Sequence, residues 1–168
     1  MGTRNLVKVI DQDGVLRVAQ YGQFDGYPSG QGVTALYHLR YSFGENIAKG
    51  LERVRWATQA ELDAVYSSLP TLNHLGTDDS KNFTLLYPNL TRETSADILA
   101  VVAWSVGEVI LVNSASFESD ELMCEGVYTV DFQRKVFISK FGGVVVEHPL
   151  NNLPTPDEYL QAWQSVDA

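Results

Sequence analysis

The chain has 168 residues, is 45% hydrophobic and 20% charged, and carries a net charge of −9. These proportions predict one soluble globular domain spanning residues 1–168 with a sizeable core, and the excess of acid sets the chain against duplex nucleic acid. A single cysteine, Cys124, excludes an internal disulfide framework and any multi-thiolate metal site.

Residues 6–10 and 15–21 read as two strands, with apolar alternation at Val7 and Val9 and at Leu16 and Val18. Asp11-Gln12-Asp13-Gly14 between them is a hairpin signal, because Gly14 can take the positive φ that the turn requires. After Gly32 a helical period begins at Val33, Leu36, Tyr37 and Tyr41, running to about Phe43 and breaking at Gly44. A short helix over 47–51 follows. Thr58 and Glu61 form a capping box for a helix over 58–69, with Leu62, Val65, Tyr66 and Leu69 as its apolar stripe.

Residues 70–90 hold Pro70, Gly76, Asp78, Asp79 and Pro88 with weak periodicity and read as a long surface excursion. Asp97, three residues after Thr94, is expected to cap a helix over 95–105 with Ile98, Val101 and Val102 inward. Residues 108–112 read as a buried strand. Segments 126–132, 135–141 and 144–147 form a meander, turning at Gln133-Arg134 and at Gly142-Gly143. Thr155, Pro156 and Glu158 supply the start signals of a final helix. Strands and helices are segregated, so the expected fold is α+β: an antiparallel sheet, made of the N-terminal hairpin and the C-terminal meander, packed with three to five helices.

Residues 21–32, Tyr-Gly-Gln-Phe-Asp-Gly-Tyr-Pro-Ser-Gly-Gln-Gly, put four glycines, a proline, three aromatic rings and one acid between a strand and a helix. Gly30-Gln31-Gly32-Val33-Thr34-Ala35 matches the dinucleotide fingerprint formally. That fingerprint also needs a parallel strand after the helix, and here another helix follows. Backbone N–H groups at a glycine-rich helix start still attract phosphate or carboxylate, which makes Ser29, Gly30, Gln31 and Gly32 candidate anion contacts. Pro28 pushes Tyr27 into an extended conformation that projects its ring. Tyr21 and Phe24 add flat surfaces for a base or a neighbouring subunit, unless the rings simply pack the loop onto the sheet. Asp25 is a turn acceptor, a partner for Arg4 or an acceptor for a ligand hydroxyl. Arg4 could supply the positive group that an anionic ligand needs.

No catalytic signature stands out. His38, His74 and His148 lack metal-ligand spacing, and His38, one position beyond Tyr37, reads as a surface residue. Ser29 is outside any nucleophile elbow. Cys124 reads as a buried structural thiol, and Glu118, Asp120 and Glu121 as a solvated face. No cofactor and no metal are expected. No apolar run is long enough to span a bilayer, and the residues point to a reducing cytoplasm.

The motifs Gly2-Thr3-Arg4, Ala19-Gln20-Tyr21 running on through Gly32, Ala96-Asp97-Ile98-Leu99 and Cys124-Glu125-Gly126-Val127-Tyr128-Thr129-Val130-Asp131 cover most of the chain. With them the chain resembles a group of small uncharacterised proteins from bacteriophages and bacteria, in which position 126 tends to be aromatic rather than glycine. The resemblance implies phage or prophage origin and no settled enzymatic activity. Taken with Arg4 and the aromatic–glycine loop, it leads to the expectation of a non-catalytic protein that sequesters a small nucleotide-like anion, as an anti-defence sponge for a second messenger in the host cytoplasm. A hydrolase of such a nucleotide, using Asp25 or Glu125, and an inhibitor of a host protein are the alternatives.

Overall fold

A computed structural model describes residues 2–42, 44–67 and 87–164 of the chain. The fold is α+β, and its main sheet has the strand order β2-β1-β5-β6-β7. The first hairpin pairs β1 (Asn5–Ile10) with β2 (Leu16–Gly22), and Gly14 in its turn sits at φ +81°. The meander consists of β5 (Gly126–Asp131), β6 (Val136–Phe141) and β7 (Val144–Pro149), all antiparallel. Gly142 and Gly143 both take positive φ in the two-residue turn between β6 and β7, the geometry whose twist suits a tight hairpin.

The two antiparallel units meet in a parallel pair, with Asn5 opposite Gly126 and Ile10 opposite Asp131, so the sheet as a whole is mixed. Strand β1 is therefore central and covered on both faces, which explains why Leu6, Val7 and Val9 are all fully buried. A second, two-stranded parallel sheet joins β3 (Val54–Trp56) to β4 (Val109–Leu111). The expected strand at 108–112 is β4; β3 has no signal of its own in the sequence.

Five α-helices lie among the described residues: α1 (Val33–Tyr41), α2 (Gly44–Gly50), α3 (Gln59–Ser67), α4 (Ile98–Ala103) and α5 (Pro156–Gln164). Helices α1, α2, α4 and α5 share one hydrophobic core with the sheet, built on Val7, Val9, Leu36, Ile47, Ile98, Leu99, Phe137 and Tyr159. None of the helices is long and apolar enough to cross a membrane. The expected excursion over 70–90 falls outside the described residues up to 86, as do Leu69 and His74.

The face of α1 differs from the expected stripe. Tyr37 and Tyr41 are exposed, at 51% and 52%, while Ala35, Leu36, His38 and Leu39 are buried. His38 is thus an interior residue and not a surface one: its Nε2 lies 2.8 Å from Asp97 Oδ1 and its Nδ1 lies 3.3 Å from Ser42 Oγ. Asp97 stands at the N-cap position of α4 as expected, but its side chain makes no capping bond and turns to His38 instead. The residues before α4 form a single 3-10 turn (Ser95–Asp97) with no side-chain cap.

Both capping boxes form. Thr155 N donates to Glu158 Oε1 at 3.0 Å and Glu158 N to Thr155 Oγ1 at 3.2 Å at the start of α5. Thr58 and Glu61 repeat the pattern at α3, and Arg55 donates to both oxygens of Glu61 at 2.7 and 2.8 Å. The bonds from Arg55 hold the Glu61 carboxyl at about 2, below its ordinary 4.5. A depressed carboxyl contributes stability above its unfolded pKa and loses it as pH falls toward the folded one. The contribution is screened by salt because the pair is exposed. Glu61→Gln keeps the cap and removes the charge, so thermal melts of this variant are expected to flatten between pH 4.5 and about 2 relative to the parent. Identical pH dependence in the two proteins would show that the pair contributes nothing.

Candidate functional site

The aromatic–glycine loop forms a single π-type turn (Pro28–Gly32) leading into α1. Such turns occur mostly as single units, frequently at functional sites. Tyr27 is extended as expected, with φ −63° and ψ 155°. The expected anion cradle, however, is already filled by the loop's own carbonyls. Gly30 N and Gly32 N donate to Tyr27 O at 2.9 and 3.3 Å, and Gln31 N donates to Asp25 O at 2.8 Å. The Gln31 side chain is used internally too, accepting from Ala96 N at 3.0 Å and donating to Phe24 O at 3.4 Å.

The loop is fastened to the sheet at close range. Gly26 N donates to Thr3 O at 2.9 Å, and Tyr128 Oη donates to Gly26 O at 2.6 Å. Burial pushes the Tyr128 hydroxyl well above its ordinary pKa, so it stays a donor. A Cβ at Gly126 would overlap Gly26 O, which leaves no room for an aromatic side chain at that position in this arrangement. At Gly32 a Cβ would come within 2.5 Å of Tyr159 Oη and 2.9 Å of Tyr128 Cε1.

The candidate ligand residues therefore divide into separate groups. Tyr21 lies on the opposite face of the sheet, sharing it with Leu6 and Ala19, and its ring meets Phe117 edge-on at 4.9 Å. Arg4 does not pair with Asp25; its Nη1 lies 3.8 Å from Met123 Sδ, and its backbone N donates to Glu125 Oε2 at 3.0 Å. Asp25 accepts through its backbone rather than its side chain and sits at φ +59°, a strained conformation for a residue with a Cβ. Phe24 and Tyr27 remain exposed, at 45% and 49%, with the Tyr27 ring 5.6 Å from that of Phe141. Ser29 is exposed, and Gly30 and Gly32 serve close packing.

A wide depression on the described surface lies at the other end of β5 and β6, about 17 Å away at the usual strand rise. It is a cleft of about 830 Å³ between the C-terminal end of α1, the start of α2, the two hairpin turns and the chain after β7. Leu39, Ala48, Phe132, Pro149, Leu150 and Leu153 give it apolar walls, while Arg40, Lys135, Glu45, Gln12 and Asn151 supply polar groups. Arg40 is held in place by Nη1 bonds to Leu153 O and Pro154 O, both 3.0 Å, and its Nε is buried with no hydrogen-bond partner. Lys135 sits at φ +57° in the turn between β5 and β6, and Leu150 N, beyond β7, donates to its carbonyl at 3.0 Å. Among the described residues neither cation has a carboxylate partner within 4.0 Å. The hydrogen bonds from Thr155 hold the Glu158 carboxyl below its ordinary pKa, and the nearby Arg40 guanidinium adds to the effect. Arg40 and Lys135 thus stand with Glu45 on the wall and Glu158 beside Arg40, two cations and two acids on a chain that is acidic overall.

A second cleft, of about 610 Å³, lies on the opposite sheet face and is acidic, with Glu118, Glu121 and Glu125 beside Lys140 and Cys124. Glu118 is ion-paired to Lys8 at 2.6 Å rather than simply solvated. Burial, reinforced by the Glu118 carboxylate, pushes the half-buried Cys124 thiol up to about 11, which makes it a poor nucleophile. The described residues hold no group of three or more metal-ligating side chains.

Sequence reasoning missed the Arg40–Lys135 cleft because its polar residues come from five separate segments of the chain, with no local motif to join them. It also missed the Ser42–His38–Asp97 arrangement, which depends on a contact 59 positions apart. No protein-family model, curated protein or solved structure matches the chain.

Proposed function

We propose that the protein binds a small nucleotide-like anion without transforming it, and that the cleft carrying Arg40 and Lys135 is the binding site. The observation that carries this reading is the placing of Arg40 and Lys135, neither paired with a carboxylate among the described residues, on an apolar cleft of about 830 Å³. Ligand sites of this size are mostly apolar, with a few polar groups that fix orientation. Phe132 and the leucines would cover a flat ring, and the two cations would take its phosphate. The resemblance to small phage proteins supports a role as a second-messenger sponge in the host cytoplasm.

Isothermal titration against cyclic mononucleotides, cyclic dinucleotides and ADP-ribose tests the proposal. Saturable heat with at least one of them is expected, with the ligand recovered intact by chromatography after denaturation. Absence of heat and of thermal shift across the panel would sink the reading.

A hydrolase is the second reading, favoured by His38. With Nε2 donating to Asp97, the Nδ1 lone pair faces the Ser42 hydroxyl, the relation of a base to a nucleophile. A fluorophosphonate probe would then label Ser42, and His38→Ala would reduce the labelling at least about tenfold. An unlabelled wild-type protein removes this reading.

A further inference from the structure

We propose that β7 is a docking edge for a second copy of this chain, the two β7 strands pairing antiparallel about a two-fold axis at Val146. The sheet ends differently on its two sides. At the β2 edge, Gln23 N donates to Arg92 O and Ser114 N donates to Ala19 O, both at 3.0 Å, while Gln20 Nε2 donates to Thr91 O at 3.0 Å. At the β7 edge no such cover exists among the described residues.

The turn at Gly142-Gly143 settles which groups point outward. Phe141 and Val144 close a two-residue hairpin turn and form a hydrogen-bonded pair, so Val146 and His148 also bond toward β6. Val145 and Glu147 then present their N–H and C=O groups to solvent, and Pro149, which has no N–H, ends the row. Val145 is 54% exposed, and no Lys or mid-strand Pro blocks the edge.

Charge decides both the occupant and the register. Pairing about Val146 sets Val145 opposite Glu147 of the second copy, so both bonds form twice and no like charges face each other. A register setting Glu147 against its own copy would oppose two carboxylates. In the favoured register Lys140, which neighbours Val145 on β6 and has no ion pair among the described residues, lies two strand spacings, about 10 Å, from Glu147 of the second copy. Two long side chains of opposite charge can reach across that gap over Val145, with Glu147 sharing its carboxylate between Lys140 of the other copy and its own Arg134, 3.3 Å away. An extended peptide of another protein would gain the same backbone bonds without this reciprocal pairing.

Light scattering during size exclusion, from about 1 to about 100 µM, is expected to show the mass rising from 18.6 kDa toward twice that value. Val145→Pro removes an outward donor and no bond to β6, so it is expected to weaken the dimer at least about tenfold with an unchanged circular dichroism spectrum. Val146→Cys in a Cys124→Ser background keeps the test decisive if the proline variant misfolds: oxidation is expected to cross-link the two copies at the axis. A wild-type monomer at every concentration, or a dimer that neither cross-links nor responds to Val145→Pro, overturns the proposal.

Discussion

Gly50→Ala is expected to destabilise the protein by about 2 kcal/mol, among the larger effects available from a single methyl group. Gly50 ends α2 and is buried where α2 crosses α4, and an added Cβ would overlap the carbonyl oxygen of Val102. The obstacle is backbone inside a helix, so it cannot rotate away as a side chain would. Its φ of −62° and ψ of −28° are ordinary helical values, so alanine should gain up to about 1 kcal/mol of helix propensity that partly offsets the clash. Urea unfolding checks this: the midpoint falls and the slope is unchanged. Gly107→Ala is the control, since its Cβ would meet nothing within 4 Å, and it is expected to stay within about 0.5 kcal/mol of the parent. Equal stability of the two variants would mean that α2 and α4 are not packed as described.

Lys135→Glu is expected to weaken ligand binding about 100-fold, through loss of one favourable charge interaction and gain of one unfavourable one. The positive φ at 135 costs a lysine and a glutamate alike, so the turn should keep its geometry. Arg40→Gln removes the guanidinium on the same cleft and is expected to cost about tenfold. It also gives up the bonds to Leu153 O and Pro154 O, so its melting temperature must be measured beside its affinity. Rising salt is expected to weaken the wild type more than either variant. Titration calorimetry with the best ligand of the panel reads all three effects, and an unchanged affinity in Lys135→Glu would move the site elsewhere.

Local signals in the sequence proved legible where the cause is local. Gly14 and the Gly142-Gly143 pair mark turns because they need positive φ. Thr58 with Glu61 and Thr155 with Glu158 mark helix starts because each pair satisfies two end groups reciprocally. The parallel pairing of β1 with β5 has no such signature, since it joins residues about 120 positions apart with no turn to announce it. The face of α1 departs from the expected stripe for a related reason. Tyr37 and Tyr41 look like a stripe, yet their rings pack on each other at 4.7 Å on the surface, while His38 goes inward to a partner on another element.

The loop over 21–32 was legible as a rigid feature and not as a binding one. Its glycines are demanded by close approach: Gly30 lies against Asp25 O, and Gly26 against the backbone of Thr3 and Arg4. Those contacts spend the amides that a free helix start would offer to an anion. Alternation in β2 then carries Tyr21 to the far face, away from Tyr27. The anion site fell to residues with no sequence signature, because a cleft gathers single side chains from distant segments.

Amide chemical-shift mapping during titration with the ligand tests the central claim most directly. Perturbations are expected at Arg40, Gly44, Lys135 and Asn151, with Gly30 to Gly32 unmoved. Perturbations confined to the loop, with the Arg40–Lys135 cleft silent, would contradict it.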